Sequence, residues 1–135
     1  MNIKPPRAYH GFTLVELMVT VAILAILAMI AAPQMQNQIT ASRVTSATNE
    51  LIAELTRARS DAVKLNQQVS INPTTIIANR GNANVSIVSN PAGLAASITF
   101  NADGTTANAG TITISNSSRS RDIRVLGSGK SFVTN

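Results

Sequence analysis

The amino-acid sequence predicts an α+β fold in which one long N-terminal helix, partly transmembrane, packs against a C-terminal antiparallel β-sheet head. Three observations predict it. Residues 12–32 are almost entirely apolar, an amphipathic pattern continues from residue 34 to residue 66, and short β-branched runs separated by turn residues follow. A sheet with one apolar face and a helix with one apolar stripe can bury those surfaces against each other, which gives the two layers of such a domain.

The apolar run at residues 12–32 is long enough to cross a bilayer. As a helix it would extend about 31 Å, close to the ~30 Å hydrocarbon core of a membrane. Lys4 and Arg7 precede it, and a positively charged flank predicts a cytoplasmic N-terminus with the rest of the chain on the other side. Glu16 lies within the run, where a carboxylate needs a cationic partner. Since the run contains no Lys or Arg, the partner must be another chain or an α-amino group created by cleavage.

The helix is predicted to continue beyond Pro33, where the missing N–H should cause a kink or local unwinding. Apolar side chains then recur with a period of 3.5–3.6 residues, which predicts an amphipathic helix ending near Asn66. This stripe comprises Val44, Ala47, Leu51, Leu55, Ala58, Ala62 and Leu65. Charged residues at helical spacing predict solvated ion pairs, among them Glu50, Glu54, Arg57, Arg59, Asp61 and Lys64.

The composition changes after Asn66, where β-branched runs alternate with Asn, Gly, Ser and Pro. The strand candidates are Val69–Ile71, Thr75–Ala78, Val85–Val88, Ile98–Phe100, Thr111–Ser115, Ile123–Leu126 and Ser131–Val133. The predicted turns are Asn72-Pro73, Arg80-Gly81, Asn90-Pro91, Asp103-Gly104 and Gly127-Ser128-Gly129. No linker separates a second domain, so these strands should form one head.

The composition weighs against an enzyme and predicts neither a cofactor nor a metal site. The chain has 135 residues, no Cys and a single His, which is His10 near the N-terminus. These are the residue types that most often act as general base, nucleophile or metal ligand. We therefore predict no catalytic residue.

The stretch GFTLVELMVTVAILAILAMIAAPQM resembles the class III signal of type IV pilins and type II secretion pseudopilins. The resemblance implies that prepilin peptidase cuts after Gly11 and that Phe12 becomes the N-methylated first residue. It also implies that Glu16 neutralises the amino terminus of a neighbouring subunit and that Pro33 kinks the stem. The predicted organisation is a leader at 1–11, a transmembrane assembly half at 12–33, an amphipathic half at 34–66 and a head at 67–135.

The remaining chain resembles the GspH/FimT family of minor pilins and H-type pseudopilins. The segments that carry this resemblance are ELTRARSDAVKLNQQVSI, FNADGTT, TITIS and RDIRVLGSGKSF. It implies a minor pilin that is incorporated in, or primes, a type IV pilus, with an H-type pseudopilin of a type II secretion system as the alternative. The implied partners are other pilin subunits, prepilin peptidase and the bacterial inner membrane, with the head in the periplasm and the assembled fibre at the cell surface.

Four basic residues near the C-terminus, Arg119, Arg121, Arg124 and Lys130, predict non-specific contact with double-stranded DNA, in line with the role of FimT proteins in natural transformation. Three to four phosphate contacts predict a salt slope near −3. The resemblance implies a Gly-Arg-x-Arg stretch, where this chain has Gly129-Lys130-Ser131-Phe132, so its second basic position is Phe. The alternatives are a solvated charge run or contacts with neighbouring pilins.

Overall fold

The computed structural model describes residues 11–79 and 84–134. The elements are helices α1 (Leu14–Leu65) and α2 (Pro73–Asn79), and strands β1 (Val69–Ile71), β2 (Ser86–Asn90), β3 (Ile98–Phe100), β4 (Gly110–Ser115), β5 (Ser120–Val125) and β6 (Ser131–Thr134). The chain divides into two compact units, Met1–Gln36 and Asn37–Asn135. Lys4, Arg7, His10 and the predicted Arg80-Gly81 turn lie outside the described residues.

Helix α1 has well-defined ends and no interruption. The Thr13 hydroxyl accepts a hydrogen bond from the Glu16 backbone N–H at 3.2 Å, which is an N-cap. At the other end Asn66 has φ 51°, and the N–H groups of Gln67 and Asn66 bond to the carbonyls of Ala62 and Val63. This is a Schellman motif with Asn at its left-handed position. The helix is continuous through Pro33, so of the two predicted effects the local unwinding does not occur, and the kink stays a prediction.

The apolar stripe of α1 forms one side of the core in the second unit. Its fully buried or nearly buried residues are Val44, Ala47, Thr48, Leu51, Leu55, Ala58 and Ala62. The Thr48 hydroxyl, which the pattern did not include, is satisfied by the Val44 carbonyl at 2.6 Å. Leu65 is 61% exposed, so its assignment to the stripe is wrong. A straight α-helix drifts by ~20° per heptad, and three heptads from Val44 therefore rotate Leu65 about 60° away from the core.

The other side of the core is a four-stranded antiparallel sheet of order β2-β4-β5-β6. Side chains alternate along each strand between two faces. The face that carries the buried Ile112, Ile114, Ile123 and Val125 is called the inner face here, and the opposite one the outer face. Strands β1 and β3 pair in a second, smaller antiparallel sheet that places Phe100 in the same core. The α+β architecture predicted from the sequence is confirmed.

One predicted strand is wrong. Residues Thr75–Ala78 belong to α2, although threonine and isoleucine favour strands. The Asn72 side-chain oxygen accepts a hydrogen bond from the Thr75 N–H at 3.0 Å, and Pro73 follows at the first helical position. Asn-Pro is therefore a helix start here rather than a turn, because the cap satisfies a free N–H and proline presets the first helical φ. The other strand predictions identify β1 and β3 fully and the remaining four with shifted ends.

Arg59 connects α1 to two turns. It was predicted to lie in a solvated ion pair, but its Nε donates to the Gly104 carbonyl oxygen at 3.0 Å and the residue is half-buried. Gly129, in the turn before β6, packs against the same carbonyl and guanidinium. The Asp103 carboxylate accepts hydrogen bonds from the Thr105 hydroxyl and N–H, which hold its pKa below the usual value and close the first of these turns.

Replacing Phe100 with alanine should destabilise the head strongly. Its side chain is fully buried, and truncation of a buried aromatic typically costs about 3–5 kcal/mol because it leaves a cavity. Phe132→Ala is the matched control, since that ring is 37% exposed and its removal should cost less than about 1 kcal/mol. Urea unfolding of the two variants in detergent measures the difference. Equal losses would contradict the placement of Phe100.

Gly129→Ala should destabilise the head more than Gly93→Ala. Both glycines have positive φ, 76° and 98°, so alanine costs about 1–2 kcal/mol at either position. A Cβ at Gly129 would also collide with the Gly104 carbonyl oxygen, whereas a Cβ at Gly93 has nothing within 4 Å. We expect a loss of about 3 kcal/mol or more for Gly129→Ala. Thermal unfolding compares the variants, and a Gly93→Ala loss as large as that of Gly129→Ala would exclude the collision.

Candidate assembly segment and basic surface

The N-terminal part of α1 presents apolar side chains on every side. Leucine, isoleucine, valine and methionine between Leu14 and Ile30 are all more than half exposed. This part of the helix is long and apolar enough to cross a membrane, and none of its apolar window is buried inside the protein. A helix that is apolar all round requires lipid or other helices as its surroundings.

The residues around the predicted cleavage point precede the first helical turn. Gly11, Phe12 and Thr13 are not helical, and the Phe12 ring is 82% exposed. No atom outside its chain neighbours lies within 4 Å of where a Gly11 Cβ would stand. The Gly11–Phe12 peptide bond therefore lies in non-helical, exposed backbone of the kind that proteases reach.

Glu16 lies in the first turn of α1 with its side chain exposed. Its position gives it a local role that the sequence prediction missed. A carboxylate in the first turn interacts favourably with the positive end of the helix dipole. Thr13 at the N-cap and Glu16 three residues later also match the Ser/Thr-x-x-Glu capping pattern, a signal readable in the sequence. The carboxylate is exposed and can still meet a charge from a neighbouring chain.

The four basic residues of the C-terminal region do not form one cluster. Arg124 is exposed on the outer face of β5, directly opposite Phe132 of β6, with Lys130 in the adjoining turn. Arg121 is half-buried and shares the inner face with Ile123. Arg119 lies in the β4–β5 turn, at the other end of β5 from Lys130. A strand of this length separates the two turns by about 20 Å.

Arg119 is exposed, and its side chain is hydrogen-bonded to α1. Its guanidinium donates to the Thr45 hydroxyl at 3.0 Å. The neighbouring Asn116 side chain donates to the Thr40 carbonyl at 2.6 Å and accepts hydrogen bonds from the N–H groups of Ser118 and Arg119. The stretch SNSSRSR, residues 115–121, is therefore the end of β4, an anchored turn and the start of β5. Only Arg124 and Lys130 remain adjacent and exposed.

Outside these regions the described residues offer little reactive chemistry. Within 11–79 and 84–134, no three His, Asp or Glu side chains are placed to hold a metal ion. Arg57 and Asp61 form an exposed i,i+4 ion pair at 3.8 Å, as predicted, which contributes little to stability.

Comparison with known proteins finds family matches in two separate parts of the chain. Residues 6–32 match the model of the prokaryotic N-terminal methylation motif, and residues 72–129 match that of the type II transport protein GspH. Two curated proteins described as fimbrial protein, both from Pseudomonas aeruginosa, are 45% identical over 64 residues, which is 47% of this chain and 42% of theirs. The chain thus matches less than half the length of these relatives. No solved structure matches the chain significantly.

One family model covers the apolar N-terminal part of α1 and the other covers the head from α2 to β5, so together they match more than half of the chain. The chain therefore belongs to the type IV pilin and GspH-type family, whose pilin and pseudopilin members are structural proteins.

Proposed function

We propose that this protein is a minor pilin of the FimT/GspH type, incorporated in a type IV pilus or priming its assembly. The observation that carries the proposal is the all-round apolar N-terminal helix with Glu16 in its first turn, joined to a GspH-type head. The chain would insert in the bacterial inner membrane with a cytoplasmic N-terminus and a periplasmic head, and later appear on the cell surface in the fibre. Its partners are other major and minor pilin subunits.

Maturation follows from the residues before α1. Prepilin peptidase would cleave after Gly11, and Phe12 would carry the N-methyl group. The non-helical, exposed backbone at this point supports access by a protease. Cleavage removes Lys4 and Arg7 and creates a positively charged amino terminus four residues from Glu16.

Glu16 would then pair with the new amino terminus of a neighbouring subunit. In lipid an unpaired carboxylate is unfavourable. A packing arrangement in which a neighbouring subunit places its amino terminus beside Glu16 therefore has a lower free energy than one in which it does not. Pairing between chains thereby fixes the axial register in which apolar helices pack, while Pro33 marks the end of the apolar half. An H-type pseudopilin of a type II secretion system would use the same step, and the GspH match supports it as the alternative.

Glu16→Gln should abolish fibre incorporation while leaving insertion and cleavage intact. Glutamine keeps the shape and the capping capacity of glutamate but cannot neutralise an amine. Thr13→Ala is the matched control, because it removes the cap and keeps the charge. We expect Glu16→Gln to be missing from sheared fibres, quantified by immunoblot against the membrane fraction, and Thr13→Ala to be incorporated. Wild-type incorporation of Glu16→Gln would overturn charge pairing.

A second candidate function is non-specific binding of double-stranded DNA for uptake. It is favoured by Arg124 and Lys130, which are both exposed at the β5–β6 hairpin. Arg119 and Arg121 do not reach this surface. Contact is therefore expected with fewer phosphates than the sequence alone predicts, and with no base readout.

Binding of duplex DNA to the full chain in detergent should be weak and depend on salt with a slope of about −2, since two cations contact two phosphates. Changing Arg124 and Lys130 to Gln should remove it. Changing Arg119 and Arg121 to Gln removes the same formal charge elsewhere and should leave most of the binding. Fluorescence anisotropy across salt concentrations compares the variants. Equal losses in both double variants would indicate a diffuse charge effect, and no binding at low salt would exclude the DNA role.

A further inference from the structure

Within residues 84–134, neither edge strand of the four-stranded sheet contains a charged residue or pairs with a second strand on its outer side. At β2 the Ala95 N–H donates to the Ser89 hydroxyl oxygen at 3.0 Å, a contact with the side chain that leaves the Ser89 backbone groups available. Within the described residues β2 pairs only with β4, and β6 pairs only with β5. The edge strands read Ser-Ile-Val-Ser-Asn and Ser-Phe-Val-Thr, with no Lys, Asp, Glu, Arg, Pro or Gly inside them. Edge strands of monomeric proteins are usually blocked by such residues, because an open edge accepts another strand. These two edges lack that protection.

The hydrogen-bond alternation shows which backbone groups face outward. In the β4–β5 hairpin the Asn116 N–H donates to the Arg119 carbonyl, and in the β5–β6 hairpin the Leu126 N–H donates to the Lys130 carbonyl. Hydrogen-bonded pairs alternate with non-hydrogen-bonded pairs along antiparallel ladders. The observed register extends this alternation from the two hairpin bonds to the edge strands. The residues whose N–H and C=O groups point away from the sheet are Ile87 and Ser89 in β2 and Ser131 and Val133 in β6.

The side chains of the two edges are complementary. Val88 is 61% exposed and Phe132 is 37% exposed, and both lie on the outer face, one on each edge strand. Ile87 and Val133 are half-buried on the inner face. Each edge therefore carries one apolar residue on each face, at adjacent positions.

We propose that β6 of one copy pairs antiparallel with β2 of a second copy, which joins two four-stranded sheets edge to edge. The register that satisfies the outward backbone groups pairs Ile87 with Val133 and Ser89 with Ser131 by hydrogen bonds. It leaves Val88 opposite Phe132 and Ser86 opposite Thr134 as non-hydrogen-bonded pairs. Apolar residues then meet apolar ones and hydroxyls meet hydroxyls on both faces. Aromatic with β-branched is among the favourable cross-strand combinations.

The direction of the strands agrees with this pairing. Three successive antiparallel pairings make β2 and β6 run in opposite directions. A second copy in the same orientation therefore presents its β2 antiparallel to β6 of the first, with the outer faces on the same side. The contact uses two different surfaces, so it is head-to-tail and generates an open row of subunits rather than a closed dimer.

Four residue pairs bury much less than the ~1,200 Å² at the lower end of stable protein interfaces. The contact is therefore weak between molecules free in solution. Tethering the copies in one membrane raises their effective concentration and allows a weak contact to form. The proposal goes beyond the pilin role proposed above and does not depend on Glu16 or on DNA.

The absence of cysteine in the chain allows a direct test by disulfide crosslinking. The full chain is prepared as Ser86→Cys and as Thr134→Cys, with tags of different size, and both are reconstituted together in phospholipid vesicles and mildly oxidised. In the proposed register these positions are a non-hydrogen-bonded pair with Cβ atoms about 4.5–5.5 Å apart, near the distance a disulfide needs. Val88 and Phe132 remain intact in both variants.

Ser115→Cys mixed with Thr134→Cys is the matched control, since Ser115 lies beside Ser86 but one strand further from the edge. Its distance to Thr134 of the other copy is about 10 Å, which no disulfide spans. We expect at least ~10-fold more heterodimer with Ser86→Cys than with Ser115→Cys, because only the former pair is within bonding distance. Equal yields, or homodimers as the main product, would overturn head-to-tail pairing.

A charge placed on the edge gives a second, independent readout. Val88→Lys added to the Ser86→Cys variant introduces the type of residue that blocks edge pairing. Because Val88 is exposed, this change leaves the core untouched, and thermal unfolding should be unaltered. We expect the heterodimer yield to fall to that of the Ser115→Cys control. An unchanged yield with Val88→Lys would show that the crosslink arises from random collision and not from strand pairing.

Discussion

The packing of the α1 stripe against the inner face of the sheet is the constraint on which the head depends. Val44 and Ala62 mark the two ends of the stripe, whose apolar residues share one core cluster with isoleucine, valine and phenylalanine of the strands. The apolar inner face of the four-stranded sheet needs a second layer to cover it. The amphipathic half of α1 likewise gains most of its stability from packing its apolar face. Each layer therefore supplies the apolar surface that makes the other stable.

The same packing decides which residues are left for other molecules. Because the inner face is occupied by α1, β5 must direct Ile123 and Val125 inward and Arg124 outward. The outer face and the two edge strands of the sheet are not used by α1, so in the head they are available for contacts with other molecules. Arg59 is less available for such contacts, because its guanidinium donates a hydrogen bond to the Gly104 carbonyl and packs beside Gly129.

The part of α1 before Pro33 is suited to lipid rather than to the core of the head. Between Leu14 and Ala32 apolar side chains lie on all sides of the helix, and Glu16 in the first turn is the one charged residue of this range. In the head, burial against the sheet selects an apolar stripe on one face of the helix, whereas in lipid every face must be apolar. One continuous helix therefore carries two patterns, and the transition between them lies near Pro33, close to the boundary of the two compact units at Gln36.

The α+β class, the long helix, its apolar stripe and most strands follow from periodicity in the sequence, because the spacing of apolar residues is set by local geometry that any helix or strand must satisfy. The helix caps at Asn72-Pro73 and Thr13-x-x-Glu16 could also have been predicted from the sequence, which contains both capping signals.

The positions of the C-terminal basic side chains in space could not be predicted from the sequence. Arg119, Arg121, Arg124 and Lys130 are close in sequence, yet strand alternation and a turn bonded to Thr45 direct them to different faces and ends. Likewise, the local sequence does not say that β2 and β6 are the two edge strands or that Val88 and Phe132 lie on the same face. Both facts follow from long-range strand pairing and its register.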